Sequence, residues 1–128
     1  MLKVLIVDDE PIILRSLQRV FKSKSYEVKT ALNGKDGLEL WQQWQPDLVI
    51  LDVLMPGLTG PEMIKEMGSK NESVIVLMSA YSGQYRLEAG QTDDIDLFIA
   101  KPFDNIFEIV EKIEVVVNEQ RKHYQKES

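Results

Sequence analysis

Leu48-Val49-Ile50-Leu51-Asp52-Val53-Leu54-Met55-Pro56-Gly57-Leu58-Thr59-Gly60 is the stretch around which the chain is organised. Its first four residues are apolar with no polar alternation, and Val49 and Ile50 are β-branched, so they read as a strand covered on both faces inside a parallel sheet. Asp52 then stands at the carboxyl end of that strand, the edge where open α/β sheets bind ligands. Pro56, Gly57 and Gly60 turn the chain away at once. Taken alone, an aspartate that closes a strand is more often a turn former or helix cap than a reactive group.

The company Asp52 keeps changes that reading. Val4-Leu5-Ile6-Val7 runs into Asp8-Asp9-Glu10, Val74-Ile75-Val76-Leu77-Met78 into Ser79, and Leu97-Phe98-Ile99-Ala100 into Lys101-Pro102. In a parallel sheet these ends share one edge, so carboxylates, a hydroxyl and an ammonium converge on Asp52.

The segments between these strands carry helical periodicity. Pro11 suits the first turn of a helix running to about Lys24, with Ile13, Leu17, Val20 and Phe21 as its buried stripe and its early acids at the positive end of its dipole. Tyr26 to Ala31 alternates in part and reads as a strand near an edge, with Asn33-Gly34 ending it. A helix from about Lys35 to Gln43 turns Leu38 and Trp41 inward, with Trp44 under the following turn, before a strand over Asp47 to Leu51. Gly60-Pro61-Glu62 opens a helix that ends near Gly68 and buries Met63, Ile64 and Met67. Ser82 to Asp96 reads as a weak helix and a loop. Asp104 is expected to cap the last helix, whose Ile106, Ile109, Val110, Ile113, Val116 and Val117 form a wide apolar face. From Asn118 that helix is polar all round, and His123, without a second ligand nearby, does not suggest a metal site. Five strands alternating with five helices predict an α/β fold, an open parallel sheet covered on both sides.

Composition bounds the function. A chain of 128 residues with 44% hydrophobic and 28% charged residues has the size and make-up of one ordinary globular domain, with a core over about 1–118 and a polar helical extension over about 119–128. A net charge of −6 argues against direct nucleic acid contact and favours basic partners. The absence of cysteine excludes disulfides, thiolate metal sites and a cysteine nucleophile. With a strand beginning at Lys3 and no apolar run of membrane-spanning length, neither a signal peptide nor membrane contact is expected, and a cytoplasmic location is.

Asp8, Asp9 and Asp52 in one crevice would repel one another unless a cation relieved them. Mg²⁺ fits, because it takes one or two carboxylates and completes its shell with water and phosphate oxygens. Lys101 supplies a positive charge and Ser79 a hydroxyl donor for the same oxygens. These parts suit in-line transfer of a phosphoryl group onto the Asp52 carboxylate.

On Asp8-Asp9-Glu10, on Asp52 with Met55-Pro56 and Gly60, on Ser79-Ala80 and on Lys101-Pro102-Phe103, in this order and each at a strand end, the whole chain resembles the receiver domain of two-component response regulators. The resemblance implies a flavodoxin-like sheet of order 2-1-3-4-5, an order for which a receiver protein is itself a known example. It implies Asp52 as phosphoacceptor, and Mg²⁺ held by Asp9, Asp52 and the Leu54 carbonyl, with Asp8 acting mainly through water. It also implies a cis Lys101-Pro102 bond and a sensor histidine kinase or phosphotransfer protein as donor. Ser79 and the aromatic three residues before the lysine, Phe98, would be the switch, read out on the face of the fourth helix, fifth strand and fifth helix. That face, widened by Ile106 to Val117, makes a homodimer plausible.

Two features depart from the family pattern. Ser82 to Asp96 lacks the usual small-residue run before the fifth strand, which leaves the output partner open. Leu54 and Tyr81 carry no charge to orient an attacking water, so the phosphorylated form is expected to decay slowly. No effector segment follows the last helix, so a stand-alone receiver and a piece of a longer regulator both fit. The competing classes are an Mg²⁺-dependent aspartate-nucleophile phosphohydrolase, disfavoured because Leu54 replaces a second acid, and a phosphate-independent interaction module, disfavoured by the intact polar set. The expected role is a signalling switch that catalyses only its own phosphorylation and slow dephosphorylation, not an enzyme acting on other substrates.

Overall fold

The computed structural model describes residues 1–68, 71–80 and 95–127, with side chains described as far as residue 120. Its elements are β1 (Lys3–Val7), α1 (Pro11–Ser23), β2 (Glu27–Ala31), α2 (Gly34–Trp44), β3 (Leu48–Asp52), α3 (Gly60–Met67), β4 (Val74–Ser79), β5 (Leu97–Ala100) and α4 (Ile106–Glu127). The five strands form one sheet of order β2-β1-β3-β4-β5, with every pairing parallel. This is the doubly wound, flavodoxin-like arrangement expected from the sequence. Four helices lie among the described residues; the expected weak helix falls mostly on residues 81–94, outside them. No helix among the described residues is long and apolar enough to cross a membrane.

The unbroken apolar runs are explained by two-sided burial. Successive side chains of a strand point to opposite faces. Val4 and Ile6, Leu48 and Ile50, and Val74, Val76 and Met78 therefore meet α1 and α4 through Leu14, Leu17, Phe21, Val110, Ile113 and Val117. Leu5 and Val7, Val49 and Leu51, and Ile75 and Leu77 meet α2 and α3 through Trp41, Met63 and Ile64. Each such aliphatic side chain, fully buried, contributes about 1.5–3 kcal/mol relative to exposure. β2, at the edge, alternates exposed and half-buried residues before Ala31.

Several local expectations are corrected. β3 begins at Leu48 rather than Asp47, whose carboxylate accepts the Lys3 amide at 2.8 Å, and the strand continues through Asp52, which pairs with Met78. In α1, Leu14 is buried and Ile13 only half-buried. The acids precede that helix, with Glu10 at its N-cap making no side-chain cap. Trp44 lies half-buried against the core, with the ammonium groups of Lys29 and Lys3 at 4.9 and 5.6 Å from the ring centroid, within cation–π range. The last helix is capped by Asn105 rather than Asp104. Its side-chain oxygen accepts from the amides of Phe107 and Glu108 at 3.0 and 3.4 Å, while Asp104 lies one residue too early. Within the apolar face of α4, Val110, Ile113 and Val117 are buried and Ile106, Ile109 and Val116 half-buried. The side chain of His123 lies outside the described residues.

The turn after β3 positions the site. Thr59 accepts the Glu62 amide and Glu62 returns a carboxylate to the Thr59 amide, a reciprocal capping box at the start of α3. Gly57, at φ +83°, takes the left-handed conformation that favours glycine. Gly60 lies so close to the end of β3 that an added Cβ would stand 2.7 Å from the Asp52 carbonyl oxygen and 3.2 Å from Leu77. Gly60→Ala is therefore expected to destabilise the protein by about 1–3 kcal/mol through overpacking, read as a lower urea midpoint at unchanged slope.

Candidate functional site

The carboxyl edge of β1, β3, β4 and β5 brings the polar strand ends together. Asp8 extends β1, its amide donating to the Ala31 carbonyl at 3.1 Å, and the Glu10 amide returns to Asp8 Oδ1 at 2.9 Å. Asp52 closes β3, supported by the Val53 amide on the Met78 carbonyl at 2.8 Å. The Lys101 amide continues the β4–β5 ladder by donating to the Ser79 carbonyl at 2.8 Å, and the Lys101–Pro102 bond is cis, as the resemblance implied.

Lys101 joins the strand ends through its side chain. Its Nζ donates to Asp8 Oδ2 at 2.6 Å, to Glu10 Oε1 at 3.2 Å and to Asp52 Oδ2 at 3.2 Å. The Asp8 side chain is fully buried, and those of Asp52 and Lys101 are 7% and 6% exposed. Asp9 joins the cluster from the surface: one carboxylate oxygen each from Asp8, Asp9, Glu10 and Asp52 lies within 4.8 Å of all the others. Among the described residues, four carboxylates thus face one ammonium. This all-oxygen, under-neutralised set fits a hard divalent cation and offers no nitrogen or sulfur ligand to a softer one.

The electrostatics follow from burial and crowding. Burial, then the charge of Asp8, pushes the Asp52 carboxyl up from 3.8 to about 6; the charge and hydrogen bond of Lys101 and a backbone hydrogen bond from Leu54 oppose this without prevailing. Burial likewise raises Asp8, against the pull of Lys101 and the Glu10 amide. For Lys101, burial favours the neutral amine, but its contacts with Asp8, Asp52 and Glu10 outweigh it and raise its pKa, so it stays charged.

The remaining sequence-predicted residues are placed unevenly. Ser79 is buried at the end of β4, beside the cluster in strand order. Phe98, opposite Leu77 on β5, is half-buried against the α2–α3 side of the core rather than in the acidic cluster. Leu54 turns its side chain outward, 37% exposed. Tyr81 lies outside the described residues. The residue that sequence reasoning quoted without giving it a role is Glu10. Its place beside Asp8 and Asp9 was visible, but its contact with a lysine 91 positions away was not.

The raised Asp52 pKa has a definite sign in stability. Between about pH 4 and 6 the folded protein holds a proton that the unfolded chain has released, so this group destabilises the metal-free protein progressively as pH rises through that window and by a constant amount above it. Asp52→Asn removes the effect. Urea unfolding in the presence of chelator is expected to find the variant no more stable than the wild type near pH 4 and about 1–3 kcal/mol more stable at pH 7.

Comparison with known proteins identifies the family and agrees with the fold. Residues 4–114 match the family model described as the response regulator receiver domain. The response regulator ArlR of Staphylococcus aureus is 32% identical over 120 residues, which cover 94% of this chain and 54% of ArlR, so the chain spans about half the length of the curated relatives it matches. TrrA of Thermotoga maritima, solved in complex with Mg²⁺–BeF, is 36% identical with a TM-score of 0.78, over 91% of this chain and 99% of that one. TrrA solved in complex with the histidine kinase ThkA matches at a TM-score of 0.75, again 36% identical, over 91% and 98% of the two chains. The chain belongs to the response regulator receiver domain family of two-component signal transduction.

Proposed function

We propose that Asp52 is the phosphoacceptor of this receiver domain. A pKa near 6 leaves Asp52 mostly ionised at neutral pH yet more basic than a surface carboxylate, which suits a nucleophile. A carboxylate oxygen of Asp52 forms the bond to phosphorus as the bond from phosphorus to the donor nitrogen breaks, and the departing histidine keeps the electron pair. Lys101, already 3.2 Å from Asp52 Oδ2, turns an N–H to the transferred oxygens. Ser79, at the neighbouring strand end, gives them its hydroxyl. Mg²⁺ held by Asp8, Asp9, Asp52 and the Leu54 carbonyl would supply the positive charge that the four carboxylates lack.

The donor on this reading is a phosphohistidine of a sensor kinase or phosphotransfer protein, a class to which the kinase complex of TrrA lends support. The domain then acts as a cytoplasmic switch and catalyses only its own phosphorylation and slow hydrolysis. Phosphate biases two arrangements by the difference in its contacts with each, and Ser79 and Phe98 are the residues that carry this difference toward β5 and the last helix. Ile109, half-buried on α4 beside Leu97 to Ala100 of β5, offers apolar surface to a second copy at that face. Leu54, in place of a second acid, leaves a phosphohydrolase without its general acid–base.

The observation that carries this reading is the Lys101 ammonium shared by Asp8 and Asp52 in a buried edge. Mass spectrometry after incubation with acetyl phosphate and Mg²⁺ is expected to find one hydroxylamine-labile phosphate adduct, absent without Mg²⁺ and absent from Asp52→Asn. An adduct that persists in that variant would overturn the assignment.

A further inference from the structure

The phosphoacceptor reading counts Glu10 only among the four carboxylates of the cluster, yet its carboxylate holds the lysine on which that reading depends. An ammonium has three N–H donors, and Asp8, Glu10 and Asp52 take one each. Lys101 is therefore saturated, and a phosphoryl oxygen reaches it only by displacing a carboxylate.

The three carboxylates are not equally displaceable. Asp8 is fully buried, has the shortest contact at 2.6 Å and is fixed at its other oxygen by the Glu10 amide. Asp52 is buried and is the group to be phosphorylated. Glu10 is 59% exposed, so its carboxylate returns to water on release with little desolvation to undo. Its reach also ties the N-cap of α1 to the end of β5, two elements that are far apart in sequence.

We propose that Glu10 is a positioning residue. In the unphosphorylated protein it occupies the place on Lys101 that a phosphoryl oxygen takes, and phosphorylation releases it and with it the tie between α1 and the β5 end. This inference rests on the phosphoacceptor reading. Glu10 slows phosphorylation by competing for Lys101 and has no such effect once the phosphate is in place.

The test compares the wild type with Glu10→Gln and Glu10→Asp, labelled by acetyl phosphate at saturating Mg²⁺. Aspartate keeps the charge but is one methylene shorter than the contact requires. Both variants are expected to phosphorylate about two- to fivefold faster, the range of one solvent-accessible ion pair, with the rate of label loss after donor removal unchanged. A faster Glu10→Gln beside a Glu10→Asp that matches the wild type would overturn the proposal in favour of general charge repulsion of the donor. Slower labelling of both, with Mg²⁺ affinity weakened in calorimetry, would overturn it in favour of a metal ligand. Unchanged labelling rates in both would also overturn it. Failure of the phosphoacceptor reading looks different: no label on the wild type, or equal label on Asp52→Asn.

Discussion

One buried ammonium holds the functional edge together. Lys101 Nζ is shared between Asp8, at the end of β1, and Asp52, at the end of β3, and both carboxylates are out of water. Burying a carboxylate without a partner is strongly unfavourable, so this edge depends on a lysine delivered from the end of β5. The delivery depends on register. Ser79 pairs with Ala100, and the next ladder bond, from the Lys101 amide to the Ser79 carbonyl, sets where that side chain begins.

The charge balance is deliberately incomplete in the physical sense that the fold holds more carboxylate than it neutralises. Lys101 stays protonated, yet Asp52 is still driven to about 6, because burial and Asp8 outweigh the lysine. A site of this kind stores unfavourable electrostatics that a cation or an added group can relieve. The apolar sheet makes that tolerable. β3 and β4 are buried along their whole length and packed on both faces, so the polar edge sits on a support that does not yield. The tight approach of Gly60 to the Asp52 carbonyl continues the same support into the turn.

Much of this was legible in the chain itself. The continuous runs over 4–7, 48–51 and 74–78 announced strands buried on two faces, and the partial alternation over 26–31 announced an edge, because burial on one or two faces leaves a period that needs no coordinates to read. The polar residues closing the runs over 4–7, 48–51, 74–78 and 97–100 marked Asp8, Asp9, Asp52, Ser79 and Lys101. Thr59 and Glu62 also carried a capping-box spacing that was open to reading. Asp104 and Asn105 were less separable: both are good caps, and only the point at which α4 begins chooses between them.

The sequence by itself determined which residues could share an edge, since strand polarity and hydrophobic period are local properties of the chain. Tertiary structure decided what those residues do to one another. That Lys101 reaches Glu10 as well as Asp8 and Asp52, that Asp52 titrates near 6, and that Phe98 packs on the α2–α3 side were not written in any spacing. These facts depend on distances between groups 49 to 93 positions apart and on how much water each retains. Both are set by sheet register and packing, to which a local pattern is blind.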